Sequence, residues 1–69
     1  MEHETELQMV QRHVSEGRAH VERQRRIVAD MRDRGEPVEL ALTLLAQFED
    51  LLRQHEAHLT RIAATPGRT

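Results

Sequence analysis

Histidine is the residue type best placed to do chemistry in this chain, with five copies in 69 residues, at positions 3, 13, 20, 55 and 58. A neutral imidazole binds zinc and other first-row metals, and it changes charge within the physiological pH range. His55 and His58 stand three residues apart, a spacing that turns two rings toward one side of a helix. Few other reactive groups accompany them. Without cysteine, neither a disulfide nor a thiolate metal site can form. Ser15 is the only serine, and no glycine-rich loop is present to cradle a phosphate. These absences point away from an enzyme.

The elements that must position the histidines are marked by sparse punctuation. Pro37 and Pro66 are the only prolines, and Gly17, Gly35 and Gly67 the only glycines. Glycine suits the left-handed residue that closes a helix, and proline suits the opening turn of the next. The Gly35-Glu36-Pro37 stretch therefore predicts a first helix over about 4–34, a turn at 35–36 and a second helix over about 37–64. Residues 65–69 are expected to form a disordered tail. Before the turn, Leu7, Val10, Val14, Gly17, Val21, Gln24, Val28 and Met31 alternate three and four apart. After it, Val38, Ala41, Leu45, Phe48, Leu52, His55, Leu59 and Ile62 do the same. Sustained three-four spacing marks helices that pack along a seam. Folded antiparallel, the two series form layers whose residue numbers total 69, from Leu7 with Ile62 to Met31 with Val38. The fold-back then falls beside Gly35, where the turn signal independently lies. The fold class is all-α, an antiparallel, coiled-coil-like two-helix hairpin.

The flanks of the seam differ in chemistry. One holds Gln11, Arg18 and Arg25 against Leu42, Glu49 and Glu56. There Arg18 can reach Glu49 or Glu56 and Arg25 can reach Glu49, each pair contributing about 0–1 kcal/mol on a solvated side. The other flank holds His13, His20 and Ile27 against Leu44, Leu51 and His58. It widens the apolar face beyond what one partner helix covers, and such a patch marks an interaction surface. A chain this short buries a small fraction of its surface and commonly relies on oligomerisation. Two hairpins meeting along Ile27, Leu44, Leu51 and His20 would form a dimeric four-helix bundle.

The same register gathers His13, His55 and His58 near the open end of the hairpin. As a divalent-metal site they would form a histidine-based helical bundle. As packing residues they would be half-buried at the interface, and protonating them would weaken assembly below about pH 6.5. No Glu-x-x-His motif of the bundle metal sites lies on the inner face. His20 is the nearest candidate for a phosphotransfer histidine, yet the neighbouring lysine and small residues of that class are missing. Gln24 on the seam reads as a register device, Gly17 opposite Leu52 as a site of close helix approach, and Phe48 as the core anchor. Arg23-Gln24-Arg25-Arg26 is basic, but Glu22 and Asp30 flank it and a solvated face follows.

The ordered set His13-Val14-Ser15-Glu16-Gly17, Arg23-Gln24, Gly35, Leu44-Leu45, Phe48-Glu49 and His55 with His58 resembles small bacterial helical-hairpin proteins with no assigned activity. The resemblance covers nearly the whole chain and implies no catalytic or binding residues. Glu36-Pro37 stands where those proteins often carry a polar residue before the second helix, which puts the local cap in question.

Net charge of -2 argues against a nucleic-acid binder. No apolar run approaches the roughly 20 residues that span a membrane, and the acidic start lacks the marks of a secretory signal. The expectation is a cytoplasmic, non-enzymatic module acting through self-association and an unknown protein partner. The alternative is the metal-binding bundle of His13, His55 and His58.

Overall fold

The three-four apolar spacing builds helices, and capping chemistry decides where they begin and end. The computed structural model describes residues 4–64, so His3 and the tail expected at 65–69 lie outside the described residues. Helix α1 runs Glu6–Asp33 and helix α2 runs Glu39–Ala63. They pack against each other as a hairpin, and no strand occurs among the described residues.

Thr5 caps α1. Its hydroxyl accepts from the Gln8 N–H at 3.1 Å, while the Gln8 side-chain oxygen accepts from the Thr5 N–H at 2.9 Å. This reciprocal capping box satisfies two amide donors that the first turn leaves orphaned. Just before it, both carboxylate oxygens of Glu4 accept from the Arg12 guanidinium, at 2.9 and 3.0 Å. Those bonds hold the Glu4 carboxyl below its ordinary range. They also raise the affinity of Arg12 for its proton, helped by Glu16 one turn further on.

Gly35 closes α1 with φ +70°. The Glu36 N–H donates to the Met31 carbonyl at 2.9 Å and the Gly35 N–H to the Arg32 carbonyl at 3.0 Å. This double closure requires a left-handed residue, which glycine supplies at little steric cost. It also commits Glu36 to α1, and a residue before proline is steered out of the helical region. The connection is consequently longer than the expected 35–36, and α2 starts at Glu39 rather than 37. Pro37 sits outside the helix, and Val38 at the cap makes no side-chain hydrogen bond.

The core is one-sided. Val10, Val14, Val21, Val28 and Gln24 are buried, and all belong to α1. No residue of α2 is buried. Leu45, Phe48, Leu52, His55 and Leu59, all expected on the seam, stay half-exposed. Short valines on α1 leave the longer α2 side chains overhanging the seam. The smallest dimension of the molecule is 13 Å, close to the diameter of one helix with its side chains. A single layer of two helices leaves both broad faces open, whereas stable domains are built from two or more layers.

Candidate interaction face and histidine groove

Two seam contacts follow directly from residue size. A β-carbon at Gly17 would lie 3.1 Å from Leu52 Cδ1, so the missing side chain is what lets the helices approach there. Gln24 reaches past its expected layer partner Leu45 and donates its amide to the Ala41 carbonyl at 3.0 Å. No buried side-chain polar atom among the described residues lacks a partner, as a closed seam requires.

On the polar flank, Arg18 meets Glu56 at 3.5 Å and Arg25 meets Glu49 at 3.2 Å. Arg18 therefore takes the more distant of its two candidate partners. The arginines are well exposed and the glutamates partly so, so each pair adds little to stability.

The opposite flank carries the histidines. His13 and His55 face each other with ring centroids 5.0 Å apart and planes tilted by 49°. His20 stacks on Phe48 at 5.7 Å and 21°, and Arg23 donates to its Nδ1 at 3.0 Å. A guanidinium has no acceptor, so Nδ1 must be the accepting nitrogen. His58, expected beside His13 and His55, instead approaches the Glu6 carboxylate at 3.6 Å. Among the described residues, no group of three or more histidines and carboxylates is placed to hold a metal ion. The structure thus pairs His13 with His55 and turns His58 toward the first turn of α1.

Between these groups lies a groove of about 280 Å³ lined by His13, Glu16, His20, Phe48, Leu51 and His55, with Gly17 and Leu52 at its base. The seam spacing sets Gly17 opposite Leu52, but the hollow and the place of Glu16 on its wall do not follow from it. The available signal was a glycine on the seam with His13 four residues before it and His20 three residues after it.

The residues assigned to an interface are open to solvent. Ile27 is 42%, Leu44 41% and Leu51 49% exposed, and His20 is also exposed. Leu40, outside that assignment, is 87% exposed. Leu40, Leu44, Gln47, Leu51, Gln54 and His58 form a second three-four series along α2 that contains no carboxylate, lysine or arginine. The matching positions on α1 carry Glu16, Arg23 and Asp30.

No helix among the described residues is long and apolar enough to cross a membrane. Comparison with protein-family models, curated proteins and solved structures gave no match, so function must be read from the side chains. Fold and face together define a class: an all-α helical hairpin with an uncovered apolar face.

Proposed function

We propose that the chain is a non-enzymatic interaction module whose hairpin pairs with a second copy to form a four-helix bundle, which then docks on a protein partner. The carrying observation is the imbalance of burial, with five buried residues on α1 and none on α2. A second layer laid on the flank of Ile27, Leu44 and Leu51 would close the core. Ile27, Leu44 and Leu51, each two-fifths or more exposed, and Leu40 at 87% are apolar area that a second copy would take out of water.

Sedimentation equilibrium tests this. The expected mass is twice that of the chain at micromolar concentration, falling to one chain in Leu44→Glu and Leu51→Glu, which place a charge on the shared face. A wild-type chain that stays monomeric up to hundreds of micromolar sinks the proposal.

The close pairing of His13 and His55 favours a second reading, a divalent-metal site completed by a further ligand. Zinc titrated into the protein should then shift the ring resonances of both histidines, and the effect should vanish in His55→Ala. Ring resonances that ignore zinc end that reading.

A further inference from the structure

The face that self-association would cover has a raised part and a hollow part at different heights, and together they specify how two copies meet. Near the turn, Leu40 and Leu44 stand one helical turn apart as a ridge, with Leu40 87% exposed. Nearer the open end lies the groove, bounded on α2 by Phe48, Leu51, Leu52 and His55 and floored by Gly17. The ridge lies on the exposed three-four series of α2, and the same series supplies Leu51 to the rim of the groove. The middle of the ridge and the middle of the groove are equidistant from Gln47.

In a two-fold contact, residue i of one copy touches j of the other and j touches i. A ridge can enter the other copy's groove, in both directions at once, only if the axis runs perpendicular to the helices and passes beside Gln47. We infer that α2 packs antiparallel on α2 of a second copy about such an axis, with Leu40 and Leu44 of each copy seated in the Gly17 groove of the other. This rests on the self-association proposed above and adds its geometry.

Charge favours the same arrangement. The α2 face from Leu40 to Gln54 is uncharged, whereas α1 carries Glu16, Arg23 and Asp30 at equivalent positions. An axis parallel to the helices would lay α2 of one copy over α1 of the other, setting Leu40 opposite Asp30 and Gln47 opposite Arg23. That would bury charge against leucine without a partner, at a cost. The perpendicular axis sets the uncharged α2 faces against each other and leaves Arg23 and Asp30 at the rim, with Glu16 on the groove wall beside the entering leucines.

The chain has no native cysteine, so single cysteines report the arrangement directly. With the axis at Gln47, two copies of Gln47→Cys lie across from each other and should oxidise to a covalent dimer. Two copies of Gln54→Cys would stand about 14 residues apart along the paired helices, roughly 21 Å, far beyond the roughly 7 Å Cα separation a disulfide tolerates. Gln47→Cys should therefore cross-link at least tenfold faster than Gln54→Cys. Independently, Leu40→Glu should weaken the dimer at least tenfold by sedimentation. A chain that sediments as a dimer but cross-links equally at both sites, or not at Gln47→Cys, overturns this arrangement and spares self-association. So does a Leu40→Glu chain with unchanged affinity. A monomeric wild-type chain overturns both.

Discussion

Gly17 and Leu52 are held so close that a single β-carbon on the glycine would stand 3.1 Å from Leu52 Cδ1. The close approach sets the helix spacing at mid-hairpin and leaves the hollow above it.

Two effects oppose each other at Gly17→Ala. Alanine gains about 1 kcal/mol of helix propensity over glycine, while the new methyl presses on Leu52. Leu52 is half-exposed, and its contacting atom is the free end of a flexible side chain, so it can yield by a few tenths of an ångström. The expected net change is within about 1 kcal/mol in a denaturant melt. Gly17→Leu has no such escape and should lose about 1–3 kcal/mol through overpacking. Equal stability of the two variants would show that the helices are not held together here.

Gln24 is a buried amide whose donor is used by the Ala41 carbonyl. Gln24→Glu keeps the shape but removes the donor and places a carboxylate near a carbonyl, at a cost of about 2–3 kcal/mol near neutral pH. Protonating the new carboxyl restores a donor, so its folded pKa should lie above the unfolded one. The lost stability should then return as pH falls below the folded value. Thermal melts of the variant against wild type at pH 7 and pH 4 check the sign, and a deficit that persists at pH 4 would contradict it.

Gly35 adopts φ +70°, and nothing lies within 4 Å of a β-carbon built there. Gly35→Ala therefore reports backbone strain alone, with an expected loss of about 1–2 kcal/mol. Gly35→Asn should lose less, because asparagine tolerates the left-handed region. Chemical denaturation of the three chains gives the order Gly, Asn, Ala.

The Glu4 carboxyl, bonded to Arg12, should titrate below its ordinary value of 4.5, and Arg12→Gln should move it back up. Because the folded value is the lower one, the contribution of the pair is fully present above the unfolded value and fades as pH falls through the folded one. Carboxyl chemical shifts of Glu4 followed from pH 7 to pH 2 test both statements. Both groups are exposed, so the consequence is fraying of the first turn of α1 in acid.

The hairpin was legible before any coordinates because its signals are local. Val10, Val14, Val21 and Val28 repeat at helical spacing, and all four are buried. Gly35 sits where the chain reverses because only a residue free to take positive φ closes α1 in that way. The second helix begins at Glu39, two residues later than Pro37 suggests, because Glu36 is bound back to Met31.

The histidine site was less legible. Periodicity states which face of a helix a residue occupies, but not the axial stagger of two helices or the lean of each side chain. A residue step along a helix is about 1.5 Å, enough to exchange one ring partner for another. The sequence alone therefore determined two helices, their turn, the packing face of α1, and the polar flank where Arg25 meets Glu49. Tertiary structure decided that His13 pairs with His55, that His20 stacks on Phe48, and that His58 turns to Glu6. It also decided that α2 stays half-bare. That outcome depends on how far short valines allow long leucines to sink between them, a property of two helices in contact and not of either one alone.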